Sequence, residues 1–152
     1  MAVDRTYIDT SIILAILLET EKSSLAQDIL EAYSEYKLVI SGIAINETLY
    51  VATYEYYRLK GEIKGKHGLR KLIARKGYPK EALDTINSFL KDLNVEIIGD
   101  HYEHTEYLKL LRDYKLLPND AQIALTCKHY AIGTILTFDE DFKRVPWLKV
   151  IP

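Results

Sequence analysis

The sequence predicts an α/β fold, a three-layer α/β/α sandwich around a mostly parallel central sheet of about five strands. Short apolar runs recur along the chain (RTYI, KLVIS, VEII, TILTF, LKVI), each of strand length. Longer stretches with apolar residues at helical spacing separate them, as in a parallel sheet covered on both faces. Only four prolines and seven glycines punctuate the chain, so few long loops are expected. At 152 residues it is expected to form one domain, residues 1–152.

The first strand is read at Arg5 to Ile8, ending at Asp9. Thr10 and Ser11 are good helix caps, and Ile13, Leu14, Leu17 and Leu18 follow at helical spacing. A second helix is expected from about Ser24 to Tyr36, with Leu25, Ile29, Leu30 and Tyr33 on one side. Lys37 to Ser41 reads as a buried strand punctuated by Gly42. Ile43 to Leu59 is a long helix in which Ile45, Leu49, Ala52 and Tyr56 step by four, three and four. A basic stretch follows, Gly61 to Gly77. Helices at about Pro79–Leu93 and Asp100–Tyr114 flank a strand at Val95–Ile98. Pro118 introduces a helix from about Asp120 to Tyr130, and Thr134–Phe138 and Leu148–Ile151 are the last strands. In such sheets, sites form beyond the carboxyl ends of the strands, where strand order reverses.

Composition narrows the classes. Lys plus Arg number 20 and Asp plus Glu 22, a net charge of −2 that neither demands nor excludes nucleic acid. With 48% apolar and 28% charged residues, disordered and low-complexity classes are excluded. The single cysteine, Cys127, rules out an intrachain disulfide and a cysteine-based zinc site, and fits a reducing, cytoplasmic location. The apolar run Ile12–Leu18 is bracketed by Asp4, Asp9, Glu19 and Glu21, so a signal peptide is not expected. No apolar run is long enough for a membrane span, and a soluble protein is expected.

Reactive residues do fall just after strands. Asp9 follows the first strand, Asp139 follows ILTF with Asp141 two residues on, Asp120 opens a helix, and Glu47 lies early in the helix after the second strand. Each has an ordinary explanation as a turn, cap or surface residue. Glu47 is the hardest to dismiss, because Ile43, Ala44, Ile45, Thr48 and Leu49 surround it. Sheet geometry allows these acids to converge at one end. Two carboxylates 4 Å apart repel by ~4 kcal/mol at an effective dielectric of 20, so a cluster needs protons or a cation. An all-oxygen site suits Mg²⁺ or Mn²⁺, which activate water and stabilise the pentacovalent phosphate of phosphodiester hydrolysis.

Four segments, in order, resemble the PIN-domain family, the metal-dependent ribonucleases that include the VapC-type toxins of toxin–antitoxin pairs. YIDTSIILAIL resembles its opening strand and acid motif, INETLY its helical glutamate, LPNDAQIALTCKHY its third motif, and ILTFDEDF with WLKVIP its ending. The resemblance implies a Mg²⁺- or Mn²⁺-dependent endoribonuclease with Asp9, Glu47, Asp120 and Asp139 as catalytic, metal-holding acids. Ser11 and Thr137 would support them through hydrogen bonds, and Asp141 is a poorer candidate for direct coordination. It further implies an RNA substrate, a homodimer and, for a toxin, a small antitoxin that covers the site. The rival reading is a non-catalytic PIN-fold protein that binds RNA or serves assembly. A haloacid-dehalogenase-type phosphatase would want an aspartate where Ser11 stands.

Other features carry two readings each. From Arg58 to Lys80 there are nine basic residues against one acid, Glu62. Lys64, Lys66, Arg70, Lys71, Arg75 and Lys76 are therefore candidates for tracking RNA phosphates, or a solvated helix face. Tyr50, Tyr54 and Tyr57 form a helical stripe, read as core or interface more readily than as a stacking surface. His101 and His104 fall three residues apart on an expected helix; a zinc site would need further ligands such as Glu103 or Asp100, and a solvent-exposed helix start is the preferred reading. Cys127, in an apolar helix, reads as a buried residue rather than a nucleophile.

Overall fold

The computed structural model describes residues 4–152. Five strands form one sheet in the order β3-β2-β1-β4-β5, all pairings parallel. They are β1 (Arg5–Ile8), β2 (Lys37–Ser41), β3 (Glu96–Ile98), β4 (Thr134–Leu136) and β5 (Lys149–Ile151). Between β1 and β2 lie α1 (Thr10–Leu17) and α2 (Ser23–Ala32). Between β2 and β3 lie α3 (Gly42–Leu59), α4 (Leu69–Lys76) and α5 (Lys80–Asp92). Between β3 and β4 lie α6 (His104–Tyr114) and α7 (Pro118–His129). The chain steps outward from β1 to β3, then returns past β1 to β4. Right-handed crossovers in opposite directions place their helices on opposite faces, giving three layers. The reversal falls between β1 and β4, which are paired through Tyr7–Ile135 and Ile8–Leu136.

The strands are short and apolar because both faces are covered: Tyr7, Ile8, Val39, Ile40, Ile135 and Leu136 are wholly buried. Ile12 and Ile13 of α1 and Ile123 and Leu125 of α7 complete the main core. Burying one such side chain stabilises the fold by roughly 1.5–3 kcal/mol. A second, separate cluster of Tyr57, Ile63, Leu69 and Leu72 holds α4 against the far end of α3. There Tyr57 Oη donates to the carbonyl of Gly77 at 2.6 Å, where a φ of +78° ends α4.

Several boundaries differ from expectation, each for a local reason. Helix α2 stops at Ala32, four residues early, and the chain turns through Tyr33 and Tyr36, whose rings pack 5.0 Å apart. Helix α6 starts at His104, not Asp100. Glu103 caps it, accepting from the N–H groups of Thr105 (3.1 Å) and Glu106 (2.8 Å). Asp100 instead caps α3, accepting from Ile43 N–H at 3.2 Å. Gly42 makes that possible, since a Cβ there would stand 2.9 Å from Asp100 Oδ2. Helix α7 starts two residues early because Pro118 supplies its first turn. The polar turn after β4 is a short 3₁₀ helix, Glu140–Arg144.

Candidate active site

Asp9 sits at the carboxyl end of β1, where its N–H donates to Leu136 O at 3.0 Å and extends the ladder to β4. It is 6% exposed, a carboxylate almost out of water. Three donors reach it. Thr137 Oγ1 donates to Asp9 Oδ2 at 2.7 Å, Ser11 Oγ lies 3.3 Å from the same oxygen, and the Thr10 N–H also bonds it. Burial nevertheless wins, pushing the Asp9 carboxyl above the usual range against those three hydrogen bonds, and Asp139 adds to the rise.

Ser11 and Thr137 tie the two sides of the reversal together. Phe138 N–H donates to Ser11 Oγ and Asp139 N–H donates to Thr137 Oγ1, each at 2.9 Å. The two hydroxyls are 3.2 Å apart. Asp139 Oδ1 in turn accepts from Asp141 N–H at 2.9 Å. Thr137 thus fixes the buried acid of β1 and the backbone of the acid after β4 with one side chain.

Asp120, the third residue of α7, is half-buried. Its carboxyl lies close to that of Asp139, an arrangement that a shared proton or a cation would ease. Burial first, then Asp139, Asp9 and Glu47, push its pKa up to about 7. Carboxylate oxygens of Asp120, Asp139 and Asp141 lie within 4.8 Å of one another. Asp141 also pairs with Arg144 at 2.5 Å, which draws its charge partly away from the group.

Glu47 differs from its sequence-based picture. Ala44 and Thr48 beside it are buried, but Glu47 itself is exposed. It stands at the rim, where partial burial, then Asp9 and Asp139, raise its pKa. Its helix is anchored to α1 beside Asp9: Thr10 Oγ1 donates to Ala44 O at 2.9 Å, and Thr48 Oγ1 donates to that carbonyl at 2.7 Å. The structure therefore gathers Asp120, Asp139 and Asp141 most tightly. Asp9 lies beneath and Glu47 beside them, both close enough to shift one another's protonation.

Every donor in this cluster is oxygen, and the burial and acidic neighbours that raise the pKa of Asp9, Glu47 and Asp120 are what a bound cation would offset. The set fits a hard divalent ion such as Mg²⁺ or Mn²⁺. A concavity of about 430 Å³ opens beside it, lined by Ile43, Asn46, Glu47, Tyr50 and Asn119. Sequence reading passed over Asn46 and Asn119; their signal was position, since each directly precedes a candidate acid.

The remaining candidates separate. The tyrosine stripe splits, with Tyr50 46% exposed, Tyr54 half-buried and Tyr57 buried. Lys64, Arg70, Lys71 and Arg75 are exposed, while Lys76 pairs with Glu62 at 2.6 Å and Lys66 Nζ lies over the Tyr54 ring at 5.8 Å. His101 precedes α6 rather than lying on it and stacks on His129, whereas His104 bonds Tyr102, so the two do not share a ligand set. Cys127 is wholly buried, and burial pushes its thiol up, away from reactivity. Among the described residues no helix is long and apolar enough to cross a membrane.

Comparisons with known proteins agree with this geometry. The chain is 30% identical over 161 residues to ribonuclease VapC6 of Methanocaldococcus jannaschii, covering 99% of each. It resembles in fold VapC20 of Mycobacterium tuberculosis, a sarcin–ricin loop cleaving toxin, with a TM-score of 0.63 at 18% identity over 97% of this chain and 99% of that one. VapBC2 of Rickettsia felis, solved with a promoter DNA fragment, gives a TM-score of 0.61 at 22% identity over 97% of each. The model of the PIN domain matches residues 6–148, and with one relative at that identity along its whole length, the chain belongs to the PIN domain family.

Proposed function

We propose that this chain is a metal-dependent endoribonuclease that hydrolyses RNA phosphodiester bonds and acts as the toxin of a VapBC-type pair. The observation that carries this is the convergence of acids from four separate segments at the β1/β4 reversal. The ribonuclease relative along the whole chain supports it. Asp9, Glu47, Asp120 and Asp139 are assigned to hold Mg²⁺ or Mn²⁺, directly or through water, with Asp141 at the edge of the group. A divalent ion, when bound, supplies positive charge against the phosphate and lowers the pKa of water.

The chain's own residues prepare that site. Thr137 and Ser11 hold the Asp9 carboxylate in one orientation, so its geometry is set before substrate arrives. Burial and its acidic neighbours push the Asp120 pKa up to about 7, so a bound cation would favour its charged form. Glu47, at the rim, meets the substrate side of the site. Lys64, Lys66, Arg70, Lys71, Arg75 and Lys76 are assigned to RNA phosphates, with Lys64, Arg70, Lys71 and Arg75, which pair with no acid among the described residues, carrying most of the contact. A small antitoxin that covers the site is assigned as the protein partner. Toxin–antitoxin complexes among similar folds support that partner. A homodimer and a cytoplasmic location complete the proposal.

The test is cleavage of a mixed single-stranded RNA pool with Mg²⁺, with Mn²⁺ and with EDTA, alongside Asp9→Asn and Asp120→Asn. Metal-dependent cutting absent from both variants is expected. A folded wild-type protein that cuts nothing with either ion would favour the non-catalytic RNA-binding or assembly role.

A further inference from the structure

We infer that the concavity beside Glu47 is a subsite for one unstacked nucleotide of single-stranded RNA, its base lying on the Tyr50 ring and its edge read by Asn46 and Asn119. This rests on the ribonuclease reading above and names the substrate form that the reading leaves open.

The concavity, about 430 Å³, is of ligand size and opens to solvent. Its lining combines the Tyr50 ring and Ile43 with two amides and the Glu47 carboxylate. Tyr50 is 46% exposed, so its ring is not consumed by the core. Asn46 and Asn119 are both exposed, and each amide offers a donor and an acceptor, the pattern a base edge requires.

The placement also fits a polymer. Glu47, Tyr50 and Tyr54 stand at i, i+3 and i+7 on α3 and share one stripe. Seven residues of helix span about 10 Å. At the far end of that stripe the Lys66 ammonium lies over Tyr54, and the exposed cations of α4 follow. A strand leaving the acids therefore meets an aromatic face, then positive charge. That order suits bases splayed on one side and phosphates tracked on the other. A duplex keeps its bases stacked inside and would leave Tyr50 without a partner.

The experiment measures affinity by fluorescence anisotropy for four labelled homopolymeric RNA octamers and one RNA duplex. It is run in an Asp120→Asn background so that no cutting intrudes. Tyr50→Ala is expected to weaken single-strand binding about tenfold, the scale of one lost base stack, and to leave duplex binding unmoved. Tyr50→Phe keeps the ring and is expected to stay within about twofold. Asn46→Ala with Asn119→Ala is expected to narrow the spread among the four octamers. Single-strand affinity unchanged in Tyr50→Ala overturns the subsite, even where the wild-type chain cuts RNA. A chain that cuts nothing, yet loses single-strand affinity with Tyr50→Ala, keeps the subsite while the nuclease reading falls.

Discussion

The acidic end of the sheet and the basic arm of α4 hold their charges in opposite ways. Asp9 is 6% exposed, and its carboxylate is gripped by Thr137, Ser11 and the Thr10 backbone. The cations of α4 are exposed, and their helix rests on a cluster of four buried residues apart from the main core. The acids are like charges forced together, which costs stability unless something neutralises them. The cations are spread over a helix and a turn, where water screens them. Bond breaking needs atoms held to a fraction of an ångström, whereas gripping a phosphate chain needs only charge within reach. On the proposed function, the first task falls to strand ends and the second to an outlying helix.

The largest expected effect is on the acids. Asp120→Asn should lower RNA cleavage by about 10²–10³-fold, judged on the scale of losing one preorganised electrostatic group. The same substitution removes a repelled carboxylate, so thermal unfolding without metal at pH 7.5 should rise rather than fall. A variant that loses activity and stability together would break the contrast drawn here.

The two clusters should also differ under truncation. Ile40→Ala, in the sheet, is expected to cost about 3 kcal/mol in global unfolding, read from urea denaturation. Leu72→Ala should cost less globally and show instead as faster amide exchange confined to α4 and its flanking turns. Equal exchange across the whole chain would mean that the arm folds as one unit with the sheet.

For the arm's charges, Arg70→Ala, Lys71→Ala and Arg75→Ala combined should reduce the slope of log affinity against log salt by about 2, near 0.7 per charge on single strands. The rate at saturating RNA should hold. An unchanged slope would leave these cations as a solvated helix face.

The smallest effect concerns pH. Asp120 binds its proton more tightly in the folded chain, with a pKa of about 7, than in the unfolded chain, near the ordinary value of 3.8. That stability is fully present below about pH 4 and is lost as pH rises through 7. Without metal, unfolding free energy should fall by on the order of 1–2 kcal/mol between pH 5 and pH 8, after allowing for solvent screening. Asp120→Asn should flatten the profile, and Mg²⁺ should stabilise more at pH 8 than at pH 5.

Much of this was legible in the sequence, and the gaps have physical causes. Strands and long helices announce themselves by periodicity, and acids after strands are visible once the strands are placed. The sequence pattern puts a helix start at Asp100, because a capping carboxylate looks the same whether it serves its own helix or another one. Glu47 was expected among apolar neighbours, since a linear window averages over faces that a helix separates. The splitting of Tyr50, Tyr54 and Tyr57 into exposed, half-buried and buried was invisible because it depends on where α4 folds back. Asn46 and Asn119 carry no periodic signal at all; only the meeting of α3 and α7 gives them a shared space.

The hydrogen bond from Thr137 to Asp9 joins residues 128 positions apart. During synthesis the first strand leaves the ribosome long before its neighbour β4 exists. The central position of β1 stays half-paired until then, and Asp9 lacks Thr137, Phe138 and Asp139 around it. A chain proposed to cut RNA is therefore assembled on an RNA machine in a form without its cutting site. The acid cluster is complete only once β4 has paired with β1, and a chain broken off before residue 139 lacks Asp139 and Asp141 altogether.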